Sequence, residues 1–197
     1  MSIDWTPHRF SGGVLALDVA NTVVYRLNPQ KRFDRFERAE EISRFASALN
    51  ALRAEEFGGR VLEVGEPEAV LSRVVSIREA TDALFRDAAQ RGGLQTGLLA
   101  PFLRAVADGM AGHDESVGPC AAGEGGLAFE AALAVSSLGL LAETRRPRVR
   151  VCASCAWLFL DRSRNGSRTW CDMAVCGNRR KASRHYRRRR QREDAYV

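Results

Sequence analysis

Apolar side chains recur every three or four positions through much of the amino-terminal part of the chain, which is the period of one buried helix face. The stretch GGVLALDVANTVVYRL predicts a first helix after the Gly12-Gly13 break. Phe33 to Phe57 predicts a second, with Asp34 as N-cap, Glu37 three residues on, and Ile42, Phe45, Ala46, Leu49 and Leu52 along one face. Gly58-Gly59 closes it. Pro67 suits the first turn of a third helix that carries Val70, Val74, Ile77, Thr81, Leu84 and Ala88 to Gly92-Gly93. Pro101 opens a fourth with Phe102, Leu103, Val106 and Met110. Ala111 to Gly126 is Gly-rich and unpatterned, a loop with room for a short β-hairpin on either side of Gly123-Glu124-Gly125-Gly126. Leu127 to Glu143 predicts a central Ala- and Leu-rich helix.

From Arg145 the pattern changes. Ala156-Trp157-Leu158-Phe159-Leu160 reads as a strand and Asn165-Gly166 as a tight turn, with Arg168-Thr169-Trp170 as the returning strand. A helix-compatible Arg-rich segment follows Cys176. The periodicity therefore gives a mainly α domain over residues 1–144, α+β only through a minor hairpin. Residues 145–197 form a small carboxyl-terminal module.

Charge sharpens this division. The 197 residues carry a net +6, but positions 1–144 hold 14 basic against 20 acidic residues, a net of −6. Arg145 to Arg192 holds 16 basic residues opposed only by Asp161 and Asp172, a net of +14. A segment so charged repels itself unless a polyanion relieves it, which makes nucleic acid the expected partner. The start Met1-Ser2-Ile3-Asp4-Trp5-Thr6-Pro7 has neither the basic residues nor the apolar stretch of a secretory signal. The longest nearly apolar run, Ala131 to Ala142, is too short to cross a bilayer. The expectation is a soluble cytoplasmic protein with no membrane partner.

Four of the five cysteines fall in the basic module, as Cys152-x-x-Cys155 and Cys171-x4-Cys176 separated by fifteen residues. In a reducing compartment paired thiols at this spacing favour one structural zinc ion over disulfides. A closed set of four thiolates leaves no place for a catalytic water. A strand hairpin followed by a helix that carries the second pair describes a treble-clef-like finger, too small to hold together without its metal. Cys120 reads as an ordinary small residue and His185 as a helix-surface residue.

Several stretches here closely resemble the CGNR-type zinc finger: Cys152-Ala-Ser-Cys155, Leu158 to Asn165, Arg168-Thr-Trp170-Cys171-Asp-Met173, and Cys176-Gly177-Asn178-Arg179 with Lys181. Leu15 to Thr22 and Ile77-Arg78-Glu79-Ala80 resemble the ABATE domain that usually precedes that finger. The resemblance implies a bacterial transcription regulator whose finger binds nucleic acid. One residue departs from the usual zinc knuckle: Ala156 stands where Gly often follows the second Cys, at a position suited to positive φ.

Phosphate and base contacts are expected from Arg162, Arg164, Asn165 and Arg168 of the hairpin, and from Asn178, Arg179, Arg180, Lys181, Arg184, Arg187 and Arg188 of the helix. Double-stranded DNA is the leading partner. RNA, or an acidic protein docked by an adaptor, are the alternatives. In the amino-terminal part Asp18, Asn21, Thr22 and Tyr25 fall on one face of the predicted first helix. Asp18, Asn21 and Thr22, with Arg78 as counter-charge, read either as a buried hydrogen-bonded network or as the pocket of a small-molecule effector. The same helices are the expected homodimer interface. No H-E-x-x-H, H-x-E, phosphate-cradling Gly loop or G-x-S-x-G elbow occurs, so no enzymatic activity is expected.

Overall fold

The computed structural model describes residues 3–114, 117, 125–183 and 186. It is mostly helical with three two-stranded sheets. The described elements are α1 (Leu15–Ala20), β1 (Val23–Val24), β2 (Phe33–Asp34), α2 (Glu40–Arg53), β3 (Leu62–Glu63), α3 (Pro67–Arg91), α4 (Thr96–Met110), β4 (Leu127–Ala128), α5 (Phe129–Leu138), β5 (Val149–Val151) and β6 (Leu158–Leu160). No helix is long and apolar enough to cross a membrane among the described residues.

Helices α3, α4 and α5 pack against one another, and α1 lies against α3 and α5. Gly109 of α4 permits the closest approach: a Cβ there would meet the Ile77 side chain of α3 at 2.5 Å and Ala134 of α5 at 3.3 Å. Around α2 the rings of Trp5, Phe10, Phe36, Phe45 and Phe129 meet at 5.0–6.1 Å, mostly tilted or edge-on, the geometry that aromatic quadrupoles favour.

Helix α3 spans the expected range and ends at Gly92 with φ 83°. The first helix is much shorter than expected. All six residues of α1 are buried, and the β-branched run Thr22-Val23-Val24 leaves the helix for a strand pair, Val23 opposite Asp34 and Val24 opposite Phe33. Asp34 is thus in β2 and does not cap α2, which starts six residues later. Its Oδ1 accepts from the Phe36 amide, while both carboxylate oxygens take the Arg78 guanidinium at 2.6 and 2.7 Å.

Helix α4 begins a turn before Pro101, which lies inside it. Pro101 has no N–H to offer the Gly97 carbonyl one turn back, and both residues are exposed, so the loss is cheap there. After the glycine-rich stretch, β4 pairs in parallel with β3. The other arm of the expected β-hairpin, and Cys120, lie outside the described residues.

The zinc-module hairpin also differs from expectation. β6 pairs antiparallel with β5, which precedes the first cysteine, with Val149 opposite Leu160, Arg150 opposite Phe159 and Val151 opposite Leu158. The returning segment 168–170 is not a strand. It touches the knuckle through the Ala153 amide and the Thr169 carbonyl at 3.1 Å. The expected turn is present, with Gly166 at φ 58° and its amide on the Ser163 carbonyl.

β6 is buried on both faces. Leu158 and Leu160 join Val149 in the main helical core, and Phe159, pointing the other way, joins Cys152, Trp157, Cys171 and Cys176 in a second small core. Packing therefore crosses the boundary at residues 144/145.

Candidate metal centre and basic surface

The chain reverses at Cys152–Ala156. The Cys152 amide donates to the Trp157 carbonyl at 2.8 Å, and the Ala156 amide to the Cys152 carbonyl at 2.9 Å. Ala156 takes φ 61°, the left-handed region that glycine occupies freely and that costs a Cβ-bearing residue about 1 kcal/mol. Arg86 of α3 donates to its carbonyl at 2.8 Å while holding Asp82 with its other nitrogens. Cys176 sits on a π-type turn, Met173–Gly177, and Cys171 lies two residues before it. Asp172 starts this turn, its Oδ1 accepting from the Val175 amide at 3.1 Å and its Oδ2 meeting His8 Nδ1 at 2.9 Å. His8 stacks on Trp157 at 5.4 Å. Helical backbone continues over 178–183.

These two turns bring the four sulfurs together. All lie within 4.8 Å of one another; Cys155 and Cys171 are 3.6 Å apart, Cys171 and Cys176 3.7 Å. Four sulfurs around tetrahedral zinc at about 2.3 Å are separated by about 3.8 Å. Cys152, Cys171 and Cys176 are buried and Cys155 is half-buried.

Thiols this close cannot ionise independently. Cys155 and Cys171 donate to the Cys152 sulfur and draw its pKa far down. Cys171, beside that thiolate, is pushed up to about 12, and burial with the same charge raises Cys176. Four thiolates need a divalent cation among them, and the donor set, spacing and burial fit one structural zinc ion.

Asp161 ties the loop between the pairs. It is buried, and its oxygens accept the Ser163 amide at 2.9 Å and the Arg168 amide at 2.8 Å. Burial opposes ionisation there, yet these donors hold its carboxyl below the usual range. Arg148 and Arg150 each donate to a loop carbonyl, of Ser163 and Gly166. Arg168 lies over Phe159 and donates to the Trp170 and Cys171 carbonyls. Arg180 lies over Trp170 at 5.9 Å.

Of the residues expected to meet nucleic acid, Arg162, Arg164, Asn165, Arg168, Asn178, Arg179, Arg180 and Lys181 are exposed on this finger. Arg164 and Asn165 form the tip of the turn between the thiol pairs, and Asn178 to Lys181 extend from the turn that holds Cys176. Arg184, Arg187 and Arg188, with His185, lie outside the described residues.

The polar residues of the amino-terminal part take separate partners. Asp18 accepts from the Gly12 amide at 2.7 Å and from the Arg53 guanidinium. Its counter-charge is thus Arg53, whereas Arg78 holds Asp34 and the Thr22 hydroxyl. Thr22 itself donates to the Val19 carbonyl at 2.8 Å.

Asn21 does something the sequence does not reveal. Its amide nitrogen donates to the Leu158 carbonyl at 2.8 Å and its oxygen accepts the Leu158 amide at 2.9 Å, so one side chain imitates a neighbouring strand along β6. The Leu160 amide continues this edge by donating to the Gly12 carbonyl at 2.8 Å. His8, Arg35, which lies over Trp157 at 5.1 Å, and Arg86 are further ties from the helical part to the finger. Only the burial of polar groups beside α1 signalled that partners were needed.

Residues 148–189 match the family model of the CGNR zinc finger, a span that contains all four cysteines and the start of the basic helix. No curated protein matches the chain.

Proposed function

We propose that the protein is a zinc-dependent regulator that binds double-stranded DNA through the finger, with the helical part, ABATE-like in its sequence, as a sensory and dimerising unit and without enzymatic activity. The observation that carries this reading is the coincidence of metal and charge. Eight exposed basic or amide side chains leave the turn between the two thiol pairs and the helical turn after Cys176, on either side of one zinc site and within a segment of net +14. Phosphate neutralisation by such a surface supplies affinity, and a fixed pair of turns supplies register.

Duplex is favoured over single strands by the tryptophans. Trp157 is buried beneath His8 and Arg35, and Arg180 lies over one face of Trp170, which leaves little aromatic surface for unstacked bases. The helical part, with its net of −6, is repelled by the same polyanion, which directs the finger outward.

The test is titration of a labelled random duplex with the zinc-loaded chain and with Cys171→Ser. The wild type binds, and the variant, short of one thiolate, loses about tenfold or more in affinity. Equal binding by both would remove the zinc-organised surface from the explanation, and preference for structured RNA over duplex at one ionic strength would move the reading to RNA.

A further inference from the structure

A cavity of about 860 Å³ opens between the helical part and the finger, away from Asn21, Thr22 and Arg78. Its size falls in the range of small-molecule sites. The apolar lining comes from Val14, Leu52, Phe57, Val117, Ala132 and Val135. The charged lining is unequal in its commitments. Glu56 already accepts the Leu15 amide at 2.8 Å and pairs with Arg53 at 3.2 Å, and Arg53 also holds Asp18. Glu55 is exposed at the edge.

Arg145 and Arg162, both from the basic segment, have no carboxylate partner among the described residues. Arg162 donates to the Gly13 carbonyl at 2.6 Å and Arg145 reaches over Gly139 at the end of α5. The same two arginines wall a second, shallower hollow of about 390 Å³ that Arg148 and Arg164 also line. The only carboxylate there, Asp161, has its oxygens occupied by backbone amides. An apolar chamber thus ends on a ridge of guanidinium groups with anion-binding capacity to spare.

We propose that this cavity binds a small amphipathic carboxylate, its apolar body against Val14, Phe57 and Val135 and its head group on Arg145 and Arg162. Such a ligand bridges the helical part and the finger, because its two ends touch residues of each. It also takes up Arg162, a residue of the proposed nucleic-acid surface. The inference deepens the sensory half of the reading above by naming where the effector sits and what class of molecule it is.

Calorimetric titration of the zinc-loaded full chain with decanoate, decanol and decyltrimethylammonium, without nucleic acid, tests it. Decanoate binds saturably at one per chain, and the alcohol and the cation at least about tenfold more weakly. Arg145→Ala combined with Arg162→Ala abolishes the preference for the carboxylate. Leu52→Trp, at an exposed lining position that leaves the core intact, blocks all three; zinc content and the thermal transition verify that each variant is folded. No saturable decanoate binding up to about millimolar, equal binding of decanol, or indifference to the arginine pair overturns the proposal. Because nucleic acid is absent from the titration, that failure leaves duplex binding untouched, and a failure of duplex binding leaves the calorimetric result standing.

Discussion

Ala156 and Asp18 show how single residues carry opposing demands. The knuckle requires φ 61° at position 156, and the sequence supplies a Cβ there. Ala156→Gly removes the steric penalty but gives the unfolded chain more freedom, so the two effects partly cancel. The steric term prevails in the left-handed region. The expected outcome is a gain of about 0.5–1 kcal/mol, read from urea unfolding of zinc-loaded protein, with the Arg86 bond to that carbonyl retained. A loss of stability would mean that the knuckle relaxes around alanine.

At Asp18 complete burial outweighs both the Arg53 guanidinium and the Gly12 amide, and the carboxyl is pushed up to about 7. The folded state then holds a proton that the unfolded state, with its ordinary carboxylate near 3.8, has released. Stability from this group is full below the unfolded value and is lost as pH rises through the folded one. Between about pH 5.5 and 7 wild-type stability therefore falls on the order of 1 kcal/mol per unit relative to Asp18→Asn, which has no proton to release. Parallel pH profiles would place the carboxylate as ionised throughout, held by Arg53.

Among elements, β6 and the second thiol turn depend on different forces. β6 has Leu158 and Leu160 in the helical core, Asn21 along its free edge and the Gly12 carbonyl on the Leu160 amide. The Met173–Gly177 turn has the buried Cys176 thiol, the Asp172 cap and little apolar area of its own. Chelation of zinc is expected to release the turn while the strand stays in place. Hydrogen exchange reads this directly: the Val175, Cys176 and Gly177 amides lose protection, and the Leu158 and Leu160 amides keep it. Simultaneous loss at both would mean that the metal also holds the strand on the helices.

The same contrast explains what was legible beforehand. Helix α3 has Pro at its start, Gly at its end and an uninterrupted apolar stripe, all local signals, and its bounds follow from sequence. The thiol spacing is local too, and the four sulfurs meet as it implies. The long first helix failed because period alone does not separate Leu15–Ala20 from the β-branched run that follows, and the partner strand lies ten residues away. Asp34 failed as a cap because Arg78, forty-four positions on, takes its carboxylate. The hairpin partner of β6 is not readable from sequence because Val149–Val151, although it alternates apolar and charged residues, is only three residues long. Asn21 as an imitation strand is a tertiary fact with no local trace.

For the whole molecule, the proposed duplex binding turns on how many of its cations the zinc site presents to a phosphate backbone at once. The sequence offers 16 between Arg145 and Arg192, but the structure gives them different duties. Arg148 and Arg150 brace loop carbonyls. Arg162, Arg164 and Arg168 are exposed on the turn between the thiol pairs, and Arg179, Arg180 and Lys181 on the helical turn after Cys176. Each phosphate neutralised releases condensed counterions and steepens the dependence of log K on log salt by about 0.9. Six such contacts give a slope of about −5, whereas engagement of the entire basic segment would exceed about −10. The zinc-anchored surface is expected to set the slope. Arg164→Ala and Arg180→Ala, one from each turn, should each flatten it by about 1, and together by about 2. Arg104→Ala, on the exposed side of α4 in the acidic part, should leave it unchanged. Anisotropy titrations of one duplex over a series of sodium chloride concentrations measure all four. If the Arg164 and Arg180 variants keep the full slope, these two arginines do not face phosphate, and the affinity belongs to other parts of the basic segment.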